Sequence, residues 1–283
     1  MLNKKFQSYD SRRTYIVKIL LTLFFAFVVV CPLVRMLCYL FQTDIKSVIF
    51  NEQFKTALLN SFVSTVVSSV ISVGLAIILS YCIYRTQIKH KTIFSVLLTL
   101  PMLIPSVSHG MGLILLFGSN GFITNLFKID TSVYGFWGLV VLLNWQQIGY
   151  MMIIYIAGLQ AVPEDMLEAA KIDGAKSGQT LFRVIIPNVM PSITICTFLS
   201  LTNGFKLFDQ NLALTAGQPY IIQEGGTVIK TTEMLALKIY NTFYGQSSAS
   251  QGVAQAKAVV FFILVAGLGL MQLAITRKRE VQQ

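Results

Sequence analysis

The segment EAAKIDG at residues 168–174, followed by VIIP at residues 184–187, is a polar interruption between two long apolar stretches. The preceding residues, Val162 to Asp165, have the features of a helix start, because proline fits the first helical turn and acidic side chains there face the positive end of the helix dipole. Gly174 permits a turn that a side chain would resist, and we expect Pro187 to end the following short helix. The pattern predicts a compact helix-turn-helix at residues 162–187.

The remainder of the chain is too apolar for a soluble domain. Its 283 residues are 54% hydrophobic and 12% charged, whereas about a quarter of the residues in soluble domains are charged. A helix needs about 20 apolar residues to cross a bilayer, and the first apolar stretch is too long for a signal peptide. We therefore predict an all-α membrane protein with six transmembrane helices, the helix-turn-helix lying between the fourth and fifth. The six windows are at about residues 15–41, 57–84, 92–117, 133–160, 188–214 and 253–275.

The charges of the short connections predict the orientation, since cytoplasmic loops carry an excess of Lys and Arg. Three connections are basic, and their residues are Lys4, Lys5, Arg12, Arg13 and Lys18; Arg85, Lys89 and Lys91; and Arg277, Lys278 and Arg279. We therefore expect both termini and the helix-turn-helix in the cytoplasm. The expected parts are residues 1–55, with the N-terminus, the first helix and a short extracellular linker; a five-span core at residues 56–276; and a basic tail at residues 277–283.

Several classes of site are disfavoured by the composition. The net charge of +10 comes from basic residues beside the membrane windows, which indicates topology and anionic lipid rather than nucleic acid. The cysteines fall inside apolar windows without paired spacing, so we assign no disulfide and no metal site. No phosphate loop of the form Gly-x-x-x-x-Gly-Lys-Ser/Thr occurs, so the chain is not expected to hold a nucleotide itself. We assign no catalytic residue.

The helix-turn-helix resembles the Glu-Ala-Ala loop of the permease subunits of binding-protein-dependent ABC importers. That loop reads Glu-Ala-Ala, three residues, Gly, nine residues, Ile, one residue, and Leu-Pro. The residues of this chain at those positions are Glu168, Ala169, Ala170, Gly174, Val184, Ile186 and Pro187. The chain departs from the pattern only at the two aliphatic positions, and the resemblance extends from about Asn60 to the sixth window.

Three further segments, residues 172–175, 214–219 and 232–237, are similar to the carbohydrate branch of that family, in particular to its maltose-type first permease subunit. The resemblance implies a bacterial cytoplasmic membrane protein whose hairpin docks on an ATPase subunit. The hairpin residues implied in that contact are Glu168, Ala169, Ala170, Asp173, Gly174 and Pro187. The implied partners are a second permease subunit, two ATPase subunits that hold ATP and Mg, and an extracellular solute-binding protein. No cofactor is implied in this chain.

Polar residues inside the membrane windows indicate a substrate pathway, because they are costly in lipid. Amides and aromatic faces suit sugars, whose hydroxyls form hydrogen bonds and whose C–H faces stack on rings. Two groups of such residues occur, namely Asn144, Trp145, Gln146, Gln147 and Tyr150 in the fourth window, and Asn203, Lys206, Asp209 and Gln210 in the fifth. By resemblance, these two stretches bind sugar in the middle of the membrane. The residues that we select from them as the pathway are Asn144, Trp145, Gln146, Tyr150, Asn203, Lys206 and Asp209. Two prolines in the third window, Pro101 and Pro105, predict a bend that faces a cavity.

Packing roles compete with these assignments. Trp145 and Tyr150 suit an interfacial or packing role, and Lys206 and Asp209 suit an i, i+3 ion pair that neutralises itself. If that pair instead opens to the cavity, a charged sugar such as a uronate is favoured. We expect His109 to be satisfied by helix packing and Lys257 to extend its ammonium group towards the membrane surface. Small residues of the second window, including Gly74, predict close helix packing.

Two other functions stay open. The first is an importer of the same class with another cargo, a polyamine, a phosphonate or iron, because the two prolines followed by Ser-His-Gly-Met-Gly are similar to those branches. The second is an intramembrane enzyme that uses Ser106 and His109, which lacks a third catalytic group. A channel is disfavoured, because neither a ring of charges nor a filter-like loop is present in the sequence.

Overall fold

The computed structural model describes residues 12–86, 89–117, 121–127, 135–223, 226–245 and 248–278. The predictions for residues 1–11 and 279–283, which include Lys4, Lys5 and Arg279, lie outside the described residues. The fold is almost wholly helical. The longer helices are α1 (Arg12–Gln42), α3 (Glu52–Arg85), α7 (Gly135–Gln160), α10 (Ile186–Phe205) and α13 (Ser248–Arg277). The shorter helices are α2 (Ile45–Ile49), α4 (Lys91–Thr99), α5 (Ser106–Phe117), α6 (Phe122–Phe127), α8 (Glu164–Ile172), α9 (Ser177–Thr180), α11 (Asp209–Leu214) and α12 (Leu235–Phe243).

Five of the six predicted windows coincide with a described helix that is long and apolar enough to cross a bilayer. The third window instead holds two helical stretches, Lys91–Leu103 and Val107–Leu116, which meet at an angle of 105°. The bend falls at the two prolines, where the missing backbone donors interrupt the helical hydrogen bonds. The bend predicted from Pro101 and Pro105 is therefore confirmed.

The fifth window shows two corrections. The predicted end at residue 214 is wrong, because α10 ends at Phe205 and a short break precedes α11. The prediction that Pro187 ends a helix is also wrong, since the chain is helical without interruption from Ser177 to Phe205. A π turn at Leu181–Ile185, in which the N–H of Ile186 donates to the carbonyl of Leu181, lies directly before the proline. This wider turn accommodates the proline ring within the helix.

Helix α3 packs along both α7 and α10 and forms the centre of the bundle. Its buried small polar side chains are Ser61, Ser64, Thr65, Ser68, Ser69, Ser72 and Ser80. The predicted role of Gly74 is wrong, since a Cβ atom there would meet nothing within 4 Å. The close approach occurs instead at Gly204 of α10, where a Cβ atom would lie 2.7 Å from Cγ2 of Thr65. The predicted close packing of small residues in the second window is therefore confirmed for its buried serines and wrong only for Gly74.

The described residues 206–223 and 226–245, which we call the 206–245 segment, follow α10, whereas the 162–187 hairpin precedes most of it, so the two lie at opposite ends of that helix. A two-stranded antiparallel sheet, Tyr220–Ile222 with Val228–Lys230, and α12 form its regular part. Helix α12 packs on α13 and α3. The prediction for Lys257 is wrong, because its side chain is buried and its Nζ donates to Oγ1 of Thr242 at 2.9 Å.

Candidate functional site

A cavity of about 300 Å³ lies where α10 ends and α11 begins, against one face of α7. Its lining consists of Met102, Leu143, Gln146, Gln147, Tyr150, Asn203, Lys206, Leu207, Phe208, Asp209 and Gln210. Because the helix is broken here, the consecutive residues 206–210 all line one wall. In a continuous helix, their side chains would point in different directions. The bend of the third window contributes Met102 to another wall.

The structure brings together five of the seven predicted pathway residues. These five are Gln146, Tyr150, Asn203, Lys206 and Asp209. The lining residues of α7 follow the spacing 143, 146, 147 and 150, which places them on one helical face. Asn144 and Trp145 lie on other faces: the Nδ2 of Asn144 donates to the carbonyl of Val140 at 2.7 Å, and Trp145 packs edge-on against His109.

Gln147 was noticed in the sequence but not selected among the predicted site residues, although it lines the cavity. Its Oε1 accepts hydrogen bonds from the hydroxyls of Ser200 at 2.6 Å and Ser72 at 3.4 Å. The hydroxyls of Ser200 and Ser69 also form a hydrogen bond at 2.9 Å. The Nε2 of Gln147 is buried without a partner in the described structure. The helical spacing from Leu143 and Gln146 would have identified it.

The cavity wall combines several kinds of hydrogen-bonding group. Asn203 donates from Nδ2 to the hydroxyl of Tyr150 at 3.3 Å, joining α10 to α7 across the cavity. Lys206 and Asp209 lie on either side of the helix break and add one cation and one anion. Leu143, Leu207 and Phe208 supply apolar surface beside these polar groups. Such a lining is suited to a molecule with many hydroxyls and some apolar surface.

His109 lies behind the cavity and is buried. Its Nδ1 is 3.0 Å from Nε2 of Gln146, whereas its Nε2 has no partner in the described structure. The prediction of a histidine satisfied by packing is therefore right for one ring nitrogen only. The Ser106 side chain lies outside the described part of the structure, so the pairing of Ser106 with His109 that the enzyme alternative requires is not tested. In the described ranges, no three His, Cys, Asp or Glu side chains are grouped as metal ligands.

The 162–187 hairpin begins with α8 and turns at Gly174, where φ is +73°. The N–H of Ala175 donates to the carbonyl of Ala170 at 2.9 Å, and that of Gly174 to Lys171 at 3.0 Å. This hydrogen-bond pair is a Schellman motif, which ends a helix with a residue in the left-handed conformation. Glycine adopts that conformation at the smallest cost, which explains the residue at position 174.

Four of the six predicted hairpin residues are exposed, namely Glu168, Ala169, Asp173 and Gly174. The other two serve the interior, since Ala170 is buried and Pro187 is half-buried inside a continuous helix. Leu167 and Ile185 anchor the hairpin in the apolar core below it. Exposed apolar side chains stand beside the acidic ones, with Ile172 86% and Phe182 68% exposed. The hairpin therefore presents a mixed apolar and charged surface to its surroundings.

Comparison of the sequence with known proteins gives several relatives. The probable starch degradation products transport system permease protein AmyD of Thermoanaerobacterium thermosulfurigenes is 46% identical over 154 residues, which are 54% of this chain and 49% of that protein. The multiple sugar-binding transport system permease protein MsmF of Streptococcus mutans is 35% identical over 142 residues, 50% of this chain and 45% of that protein. The chain therefore spans about half the length of these two relatives.

The fold has a solved counterpart. In the crystal structure of a bacterial alginate ABC transporter in complex with an alginate pentasaccharide-bound periplasmic protein, a chain 19% identical to this one superimposes with a TM-score of 0.74, over 94% of this chain and 95% of that chain. At this identity the likeness concerns the fold alone. A sequence profile of the binding-protein-dependent transport system inner membrane component matches residues 73–281. Because that match covers most of the chain, the protein belongs to the family of binding-protein-dependent transport system inner membrane components, multi-pass helical proteins of ABC transporters.

Proposed function

We propose that this chain is the transmembrane permease subunit of an ATP-driven importer that moves a neutral sugar or oligosaccharide across the bacterial cytoplasmic membrane. The observation that carries the proposal is the cavity at the break between α10 and α11, with its amides, phenol hydroxyl and apolar surface. Family membership supports the importer class, and the names of the two relatives described above support a sugar as cargo. The chain performs no covalent chemistry in this proposal.

The charges of the cavity favour a neutral cargo over a uronate. Lys206 alone would attract an anion, but Asp209 lines the same small cavity and offsets its charge. Polyamines and iron are cations and would be repelled by Lys206 at short range. Phosphonates are anions and would be repelled by Asp209. A neutral sugar can form hydrogen bonds with both charged groups and is repelled by neither.

The proposed mechanism is alternating access driven from the hairpin. The 162–187 hairpin faces the cytoplasm, as do both termini, and docks on one of two ATPase subunits that bind ATP and Mg. A second permease subunit completes the translocation pathway, and an extracellular solute-binding protein delivers the sugar. Closure of the ATPase subunits moves the hairpin, and the continuous helix from Ser177 to Phe205 carries this movement to the cavity. The cavity then opens alternately to the two sides of the membrane.

The sugar site is tested by Asn203→Ala with Asn144→Ala as its matched control. We expect Asn203→Ala to raise the half-saturation concentration for maltotriose uptake about tenfold, since the loss of about 1.4 kcal/mol of binding has that effect. Asn144 bonds within its own helix and lies away from the cavity, so its variant is expected to keep that concentration. Uptake is measured with radiolabelled maltotriose in proteoliposomes that contain the complete importer.

Two outcomes would contradict the proposal. Equal kinetics of the Asn203 and Asn144 variants would show that the cavity does not bind the sugar. Uptake of a labelled polyamine, phosphonate or iron complex by the wild-type importer, without maltotriose uptake, would favour the other cargo instead.

A further inference from the structure

His109 begins a chain of hydrogen bonds that ends at the cavity. Its Nδ1 is 3.0 Å from Nε2 of Gln146, and Oε1 of Gln146 accepts from Nε2 of Gln210 at 2.6 Å. Both amides line the cavity, whereas His109 does not. Three separate elements, α5, α7 and α11, each supply one member of the chain. An element behind the cavity is therefore connected to the cavity wall through two amide groups.

The direction of this chain depends on the ring nitrogen at its end. An amide can donate from its nitrogen or accept at its oxygen, so a pair of linked glutamines has two self-consistent orientations. With Nδ1 of His109 as an acceptor, Gln146 must turn its nitrogen to the ring and its oxygen to Gln210. Gln210 then uses its nitrogen for this bond, which leaves its Oε1 as the remaining amide acceptor. Reversal would require a proton on Nδ1 and the rotation of both amides.

The position of the histidine ring is itself held firmly. The ring packs edge-on against Trp145 with centroids 5.2 Å apart, and His109 is only 3% exposed. A Cβ atom on the next residue, Gly110, would lie 2.7 Å from Cβ of Ala213, so α5 and α11 are in close contact there. The other ring nitrogen, Nε2, is buried without a partner in the described structure. The ring is thus placed where its Nδ1 lies within hydrogen-bond distance of a cavity-lining residue.

We propose that His109 is a positioning residue, whose Nδ1 orients Gln146 and Gln210 so that Gln210 presents an acceptor to a hydroxyl of the transported sugar. The role in sugar transport rests on the proposed function. The orientation of the two amides does not depend on the identity of the cargo. Without the acceptor at Nδ1, the nitrogen of Gln146 loses its partner, and both amides become free to rotate. The pathway would then no longer offer one defined hydrogen-bonding pattern.

Two variants of His109 separate positioning from packing. His109→Phe keeps an aromatic ring against Trp145 but removes the acceptor, whereas His109→Asn removes the ring and keeps an acceptor oxygen near the position of Nδ1. We expect His109→Phe to raise the half-saturation concentration for maltotriose about tenfold, the effect of about 1.4 kcal/mol of lost binding, with the maximal uptake rate little changed. His109→Asn is expected to stay close to the wild type. The reverse order of the two variants would overturn the proposal.

A double-mutant cycle tests the orientation without any sugar. The melting temperatures of the purified importer are compared for His109→Phe, Gln210→Leu and the double variant. His109 and Gln210 are coupled only through Gln146 in the proposal, so the double variant is expected to lose less than the sum of the single losses. His109→Phe with Asn203→Leu serves as the control pair, for which additive losses are expected.

Each outcome of the two experiments decides something different. Additive losses for His109→Phe and Gln210→Leu would overturn the positioning role, whatever the cargo is. Failure of the wild-type importer to take up maltotriose would count against the proposed sugar, while the melting temperatures would still decide whether His109 orients the amides.

Discussion

The charged side chains of the 162–187 hairpin and the ion-paired group around Glu233 in the 206–245 segment differ in their exposure. In the 162–187 hairpin, all the charged side chains are exposed, and none takes part in an ion pair of the described structure. In the 206–245 segment, Glu233 is only 3% exposed and lies 3.5 Å from Nζ of Lys238 and 3.9 Å from Nζ of Lys230. Charges without partners in their own chain are available to another protein, whereas buried and paired charges hold their own chain together.

The buried polar contacts of the 206–245 segment connect several helices. Nζ of Lys238 donates to Oε1 of Gln53 in α3 at 2.6 Å, and Nδ2 of Asn60 in the same helix donates to the carbonyl of Thr231 at 2.7 Å. Asn211 of α11 donates to the carbonyl of Thr232 and accepts from the N–H of Met234, both at 2.9 Å. The 206–245 segment is therefore fastened to the bundle by polar contacts as well as by α12.

The largest expected effect is that of Glu233→Ala. Removing one partner of a buried ion pair leaves the other charge uncompensated, which costs about 3–5 kcal/mol of unfolding free energy. Glu52→Ala is the matched control, because the pair of Glu52 with Lys55 is exposed and such pairs contribute about 0–1 kcal/mol. Chemical unfolding of the purified chain in detergent measures both. Equal losses for the two variants would remove the distinction between the ends.

The next effect concerns the turn of the hairpin. Gly174→Ala forces an alanine into the left-handed conformation, which costs about 1–2 kcal/mol, although a Cβ atom there would meet nothing within 4 Å. Gly178→Ala provides the control, since Gly178 has equal space and no positive φ. The same unfolding measurement is used. If both variants were neutral, the Schellman turn would not constrain the hairpin.

The smallest effect on stability is expected for Glu168→Arg. This exposed side chain has no ion-pair partner in the described structure, so charge reversal should change the unfolding free energy by less than about 0.5 kcal/mol. Uptake and sugar-stimulated ATP hydrolysis by the complete importer are nevertheless expected to be lost, because the hairpin surface would no longer fit its proposed partner. Glu52→Arg is the control. Glu52 lies at the end of α3 that is opposite the hairpin, so this variant should leave both activities intact. Normal coupling in the Glu168 variant would contradict the docking role.

The sequence predicts those features that depend on local or average properties. Long apolar windows predict membrane helices because lipid offers no hydrogen-bond partners, and a helix pairs its backbone N–H and C=O groups internally. Pro101 and Pro105 predict a bend because each removes a backbone donor. Gly174 predicts a turn because only glycine enters the left-handed region freely. None of these inferences requires knowledge of which helices are neighbours.

One wrong prediction has a local cause, since Pro187 lies inside a continuous helix because the π turn directly before it makes room for its ring. Others depend on neighbours in space. Lys257 is buried because Thr242 of another helix accepts its hydrogen bond. Gly204, rather than Gly74, is the position of close approach, since it faces Thr65. Pairing between distant residues leaves no signal in a single sequence.

By itself, the sequence determined the helical membrane class, the hairpin between the fourth and fifth windows and the resemblance of that hairpin to a family loop. Only the tertiary structure decided which polar residues share the cavity, because helix rotation turns Asn144 and Trp145 away and brings Gln147 to the wall. The break after Phe205 and the hydrogen bond of His109 to Gln146 likewise emerge only from packing. Periodicity and turn preferences are properties of neighbouring residues in the chain, whereas a binding surface is assembled from helices far apart in it.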